Sequence, residues 1–246
     1  MSRLAVVTGG GRGIGAAIAR ALIAAGDTVW AASRSQKELD ALARETGARV
    51  QPVDVTDPAS VRALADAVGD ADILINNAGV AHSAPFAKIT LDDWNRLFAV
   101  NATGTMLCTQ AFLPGMITRR RGRVVNIASV AGVSADRYIA AYAAAKHAVI
   151  GFTRAVAAEA AASGVTVNAV CPGYVDTDMT RESIGRIREK TGKSSEEALA
   201  AILTHTPQGR LITPEEVADT VVWLCGEGAR GINGQAIVLD GGNLRR

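Results

Sequence analysis

"LAVVTGGGRGIGAAIARALIAAG", residues 4–26, changes its period halfway along. The apolar run from Leu4 to Val7, β-branched at Val6 and Val7, reads as a buried strand that the glycines from Gly9 to Gly15 bring to an end. From Ala16 the apolar residues recur at helical spacing, so a helix starts directly out of the turn. Strand, glycine turn and helix in that order make an anion cradle. Gly9 permits the tight turn, Gly13 lets the backbone approach a phosphate, and Gly15 admits close helix packing, with Arg12 and Ile14 between them. The helix N-terminus adds unpaired N–H groups and the positive end of a dipole. Here the glycines are spaced Gly-x-x-x-Gly-x-Gly rather than GxGxxG, and the stretch reads as a nucleotide site.

The same alternation runs through all 246 residues. Short β-rich runs at 4–8 (LAVVT), 28–33 (TVWAAS), 49–54 (RVQPVD), 72–79 (DILINNAG), 122–129 (GRVVNIAS), 165–173 (VTVNAVCPG) and 235–242 (QAIVLDGG) are separated by longer Ala/Leu/Ile runs at helical spacing. Seven strands alternating with helices predict one α/β domain, a doubly wound parallel sheet with helices on both faces. Helix starts announce themselves: Ser35 with Glu38, Thr90 with Asp93, and Thr213 with Pro214 and Glu216 read as caps, and Asp57 precedes Pro58. One stretch breaks the rhythm. Residues 178–206 begin polar and charged, between the sixth strand and the helix at Thr213, and are expected to form a helical substrate lid over the C-terminal strand ends.

Composition narrows the function classes. A chain of this length buries about 70 to 75% of its unfolded surface without staples. With 26 basic and 24 acidic residues, no overall field points to nucleic acid or an anionic membrane. Cys108, Cys171 and Cys225 have neither CxxC nor zinc-ligand spacing and sit among apolar neighbours, so buried thiols in a reducing compartment are expected. The apolar start is too short for a signal peptide and no window reaches ~18 apolar residues, which predicts a soluble, cytoplasmic protein. His82, His147 and His205 are scattered, and no metal site is expected; structural or surface roles suit them, with His205 also placed in the lid.

The end of the second strand bears on the cofactor. NAD binders place a carboxylate there for the ribose hydroxyls, which would repel a 2′-phosphate. Here the chain reads "AASRS": Ser33 and Arg34 stand in that place, and Arg12 approaches from the glycine turn. A guanidinium fork suits phosphate, so NADP(H) is expected. At the third strand's end Asp54, followed by Val55, either accepts from an adenine amino group or caps a turn.

"YAAAK", residues 142–146, puts a tyrosine and a lysine on one face of an alanine-rich helix. Alone it reads as a packed phenol beside a solvated ammonium. With "NNAG" at 76–79, "VNATG" supplying Asn101, and "NIAS" placing Ser129 13 residues before Tyr142, the chain resembles the short-chain dehydrogenase/reductase family over essentially its full length. "TGGGRGIG" and "PGYVDT" add to that resemblance. Three tyrosines and five lysines would yield one such Tyr-x-x-x-Lys by chance about 0.06 times.

The resemblance implies the Rossmann-type strand order 3-2-1-4-5-6-7, usually a homotetramer, and a nicotinamide held near Tyr142 and Lys146. Asn77, Ala78 and Gly79 would line the adenine-ribose side, and Pro172, Gly173, Val175 and Thr177 the carboxamide. Hydride reaching a carbonyl carbon leaves charge on oxygen, so Tyr142 would be the acid and Ser129 would hold that oxygen. An ammonium at ~4 Å, worth roughly 4 kcal/mol, would bring the phenol from ~10 toward about 7 before desolvation raises it again. Lys146 would also hold the nicotinamide ribose, and Asn101 a water relaying protons to Lys146. Tyr138, without a lysine four residues on, is a decoy.

The lid tail and "VTVNAVCPGYVDTDM" are similar to the family's 3-oxoacyl-thioester and polyketide ketoreductases, which implies a carbonyl substrate on coenzyme A or acyl carrier protein. Two alternatives stand beside it: an NADP-dependent dehydrogenase of another secondary alcohol, such as a sugar, polyol or cyclic alcohol, and a dinucleotide-sensing protein without chemistry. The run "RRRGR", Arg119 to Arg123, ends a helix at the far end of the sheet from the ligand crevice. It reads as a solvated face, or in an oligomer as a receiver for an acidic carrier protein.

Overall fold

In the central strands, successive side chains feed two cores. In β1 (Leu4–Thr8), Ala5 and Val7 join one apolar cluster and Val6 the other. β4 (Ile73–Asn76) repeats the division, with Ile73 and Ile75 on one side and Leu74 on the other, as does β5 (Gly122–Ile127) with Val125 and Ile127 against Val124. This period of two buries both faces of a sheet only when helices cover both. The computed structural model, which describes residues 2–204 and 206–244, shows that arrangement.

The first cluster is covered by α1 (Gly13–Ala24), α2 (Gln36–Thr46) and α9 (Pro214–Cys225), the second by α3 (Pro58–Val68), α5 (Gly104–Thr118) and α6 (Ala140–Ala160). With β2 (Thr28–Ser33), β3 (Arg49–Pro52), β6 (Val165–Pro172) and β7 (Ala236–Leu239), the strands form one seven-stranded sheet in the order β3-β2-β1-β4-β5-β6-β7. Every pairing is parallel. The predicted fold class and strand order are therefore observed. Because the chain moves outward from β1 in one direction and then from β4 in the other, a crevice opens beyond their C-terminal ends.

The expected caps are present. Ser35, Thr90 and Thr213 accept from the N–H of Glu38, Asp93 and Glu216, and Asp57 accepts from Ala59. Only Thr213 and Glu216 complete the reciprocal box at that set of starts. Residues 178–206 hold two helices, α7 (Asp178–Thr191) and α8 (Ser195–Leu203), behind the short α4 (Leu91–Phe98) in chain order. Gly192 ends α7 in the left-handed region (φ 71°) and a Ser194–Glu197 capping box starts α8. Cys108, Cys171 and Cys225 are buried, and burial pushes the thiols of Cys108 and Cys225 up to about 12. No helix among the described residues is long and apolar enough to cross a membrane.

Ile75 is fully buried in β4, paired through β1 and β5. Replacing it with alanine should lower the unfolding free energy by about 2–5 kcal/mol. The half-exposed Ile117, at the end of α5, should cost well under that when shortened. Urea denaturation of the two variants measures both values.

Candidate active site

The crevice is a cleft of about 540 Å3 bounded by the glycine turn, the ends of β2, β3 and β4, and the face of α6 that carries Tyr142 and Lys146. At its floor the glycines are sterically required. A Cβ on Gly15 would collide with the Gly9 carbonyl oxygen, and one on Gly9, whose φ is +63°, would meet the Ala78 backbone at 2.9 Å. Asn77 locks the turn to β4: its Nδ2 donates to the carbonyls of Thr8 and Gly9 at 3.0 and 3.1 Å. Thr8 Oγ1 in turn accepts from the N–H groups of Asn77 and Ala78.

At the β2 end, Ser33 Oγ is buried with no partner, a donor awaiting an acceptor. Arg34 lines the cleft beside it. Arg12 is exposed on the rim, 3.7 Å from Glu38 and 3.6 Å from Asp178. Glu38 was not anticipated: β2 itself ends without a carboxylate, but the first turn of α2 brings this one into the lining. Its position one turn after the Ser35 cap was the available signal. Asp54 caps a turn, accepting from Thr56 N at 2.9 Å and Thr56 Oγ1 at 2.7 Å. Those bonds, and then Arg34, hold its carboxyl below the usual range. An unsatisfied serine, two cations and a glycine floor suit a phosphate-bearing dinucleotide.

The opposite wall carries the polar pair. β5 continues through Ala128 to Ser129, whose Oγ accepts from Ala131 N and caps a single 3-10 turn, Val130–Gly132. The chain returns as α6, and there the Tyr142 phenol comes close enough to Ser129 for the serine to oppose the upward shift that burial gives it. Lys146, one turn further on, is buried, with Nζ donating to the Ile127 carbonyl at 2.8 Å and lying 5.9 Å from the Tyr142 ring centre. A Cβ on Gly79 would come within 2.9 Å of Asn101 Oδ1 and 3.6 Å of Lys146 Nζ, so these groups share one corner.

Asn101 sits in a π-helical turn, Ala99–Thr103, between α4 and α5. Its carboxamide is bonded on both atoms to one residue: Oδ1 accepts from Val80 N at 3.0 Å and Nδ2 donates to Val80 O at 2.9 Å. The side chain therefore pins the loop after β4. Its main-chain carbonyl is the acceptor turned to Thr105 Oγ1, at 2.8 Å. Behind it runs a buried chain that sequence reading did not find: Thr109 bonds Asn76, Asn76 bonds Asn126, and Asn126 bonds Thr153 of α6 at 2.8 Å. The alternation of β4 and β5 placed Asn76 and Asn126 on buried strands, which was their only signal.

Burial sets the electrostatics against expectation. The Tyr142 phenol is raised above its ordinary value, chiefly by desolvation, with Ser129 pulling the other way. Burial also lowers Lys146 to about 8. The expected drop of the phenol toward neutrality is thus corrected: the desolvation set against it prevails and holds the phenol above its ordinary value.

Other sites divide plainly. Thr177 lines the cleft, whereas Pro172, Gly173 and Val175 lie outside its lining, and Val175 packs into the core while bridging to Ile212. Val55, Ala78, Gly79 and Ile14 are in the lining. Tyr138 is exposed, with φ 70°, and is not in the cleft lining. His82 lies 3.7 Å from Asp93, and His147 contacts the Ala143 carbonyl; His205 is outside the described residues.

Lys146 gives a pH test with a definite sign. Between about 8, its folded value, and 10.5, its unfolded one, the unfolded chain binds the proton that the folded chain has released. Stability contributed at this position should therefore rise with pH across that window. Urea titrations of the cofactor-free protein should show the deficit of wild type relative to Lys146→Met shrinking from pH 7 to 10.5, and a deficit independent of pH would refute it.

A family model described as enoyl-(acyl carrier protein) reductase matches residues 9–243. The chain is 42% identical to an acetoacetyl-CoA reductase of Shinella zoogloeoides over 99% of both chains. It is 35% identical to a 3-oxoacyl-(acyl-carrier-protein) reductase of Escherichia coli (strain K12), covering 98% of this chain and 96% of the other. Among solved structures, an actinorhodin polyketide ketoreductase with NADPH superposes with a TM-score of 0.95 at 38% identity, over 98% of this chain and 97% of that one. Likeness over the full length, in sequence and in backbone, leads to one conclusion: the chain belongs to the short-chain dehydrogenase/reductase family of oxidoreductases.

Proposed function

We propose that this protein reduces the 3-oxo group of an acyl thioester, on coenzyme A or acyl carrier protein, with NADPH. The observation that carries the reading is the Tyr142 phenol and the buried Lys146 amine facing a glycine-floored cleft from one helix, with Ser129 beside the phenol. The dinucleotide would supply hydride; the residues supply everything else. Backbone groups of Gly9 to Gly15 would hold the pyrophosphate at the α1 N-terminus. Ser33, Arg34 and Arg12 would take the 2′-phosphate, Asp54 and Val55 the adenine, and Asn77, Ala78 and Gly79 the adjoining ribose. Of the four residues expected at the carboxamide, Thr177, which is in the lining, would meet it, and Lys146 with Tyr142 would hold the nicotinamide ribose.

A hydroxyl at Ser129 holds the substrate oxygen while the Tyr142 phenol gives it a proton as charge develops. Because burial raises the phenol, it stays protonated at neutral pH. That state is the one reduction needs, whereas oxidation of the alcohol starts from the phenolate. Asn101 would hold a water that relays protons to Lys146, whose Nζ lies with the Asn101 side chain around Gly79. Helices α7 and α8 would act as a lid from the end of β6, with Thr180 Oγ1 anchored to the Val175 carbonyl at 2.6 Å. The homotetramer and cytoplasmic location expected of the family complete the reading, and exposed Trp223 on α9 and Leu91 on α4 are apolar side chains that assembly would cover.

Absorbance at 340 nm decides between readings. Acetoacetyl-CoA should consume NADPH faster than simple ketones, sugars or crotonyl-CoA, and faster than with NADH. Tyr142→Phe should lower turnover by at least about 10²-fold while NADPH still binds. Equal turnover of unrelated alcohols, or of the enoyl thioester, would reassign the substrate; no turnover at all would leave a dinucleotide sensor.

A further inference from the structure

The opposite end of the sheet, where β5 and β6 begin, holds a second depression of about 540 Å3. Arg120, Arg121, Arg123 and Arg230 line it, against the single carboxylate of Glu227. We propose that this depression binds a small phosphoryl anion, inorganic phosphate or diphosphate, at a site separate from the cleft. The six residues of β5 keep the two regions about 20 Å apart at roughly 3.3 Å per residue.

Arg123 is the central observation. It is 8% exposed, and its Nε is buried with no hydrogen-bond partner. Nη1 donates to the carbonyls of Gly122 and Gly164 at 2.8 and 3.4 Å, which carry no full charge. Nη2 reaches only Glu227, at 3.3 Å, and that carboxylate side chain is 85% exposed. A buried guanidinium so poorly neutralised calls for a further anion.

The surrounding cations are arranged to share one. Arg121 pairs with Asp72 through Nε and Nη2, while Arg230 makes no side-chain hydrogen bond or ion pair among the described residues. Arg120 adopts φ 54°, a left-handed turn after α5 where glycine is favoured, and its Nη2 donates to the Ala162 carbonyl. A long cation stands where the backbone prefers no side chain. Several guanidinium forks around one hollow match the many oxygens of a phosphoryl group better than the two of a carboxylate. The expectation of a merely solvated face is corrected at Arg123, and also at Arg119, which is paired with Asp70 and bonded to the Ala71 carbonyl.

Glycine-labelled protein, observed by ¹⁵N NMR at constant ionic strength set with KCl, tests the site. Titrated phosphate and pyrophosphate should shift Gly164, Gly228 and Gly231 saturably, apart from any effect at Gly9, Gly13 and Gly15. Combining Arg120→Gly, which suits the left-handed backbone, with exposed Arg230→Gln should weaken that binding about tenfold or more. Glu227→Gln, removing the competing carboxylate, should tighten it. Turnover at the cleft should be unchanged in all of them, so failure here is distinguishable from failure of the reductase reading. Unsaturable shifts, shifts confined to the glycine turn, affinity indifferent to these substitutions, or a response to polyglutamate but not to pyrophosphate would each overturn the proposal.

Discussion

Five buried polar side chains hold the two halves of the active site to the sheet. Thr105 and Thr109 in α5, Asn76 in β4, Asn126 in β5 and Thr153 in α6 are linked by hydrogen bonds, Thr109 joining Thr105 through the latter's main-chain carbonyl. One end accepts at the Asn101 carbonyl, in the π-helical turn, and the other donates from Thr153 to Val149 O, on the helix bearing Tyr142 and Lys146. In a core of low dielectric each broken link would strand a desolvated group, so the path fixes the helices where apolar packing alone would tolerate sliding. Apolar contacts give the layers their strength; this path gives them their register.

The same burial that strengthens those bonds governs the chemistry. In water, an ammonium one helical turn from a phenol would ease the loss of the phenol's proton. Withdrawn from water, both charged forms are penalised, and the phenol stays neutral while the amine loses part of its hold on a proton. The Ile127 carbonyl, at the end of β5, takes up the amine as a hydrogen-bond donor in either state. A bound dinucleotide would add its own groups to this balance, and the cleft leaves its glycine floor, Ser33 and Arg34 facing that space.

Much of this was legible in the chain because the signals were local. Strand periodicity located all seven strands within a few residues, and Ser35, Asp57, Thr90 and Thr213 marked helix starts through bonds spanning two or three positions. Residues 178–206 gave less, since Gly192 and Ser194 hold a stop and a start that reading the stretch as one unit concealed. Glu38 escaped because its approach to the cleft depends on how α2 folds back across β2. The arginine run looked uniform, yet its members meet different fates: Arg119 and Arg121 are part-exposed and pair with Asp70 and Asp72, while Arg123 turns inward and, for a carboxylate, reaches only the exposed Glu227.

From sequence alone came the order of the elements, the residue types of the site and their spacing along the helix, because a strand's period of two and a helix's near-four-residue repeat are properties of the local backbone. Tertiary structure decided which charges lost their water, which asparagines met across the sheet, and where Glu38, Arg123 and Ser33 found or lacked partners. Those outcomes depend on groups distant in the chain and on the dielectric that their packing creates, neither of which is written at any single position.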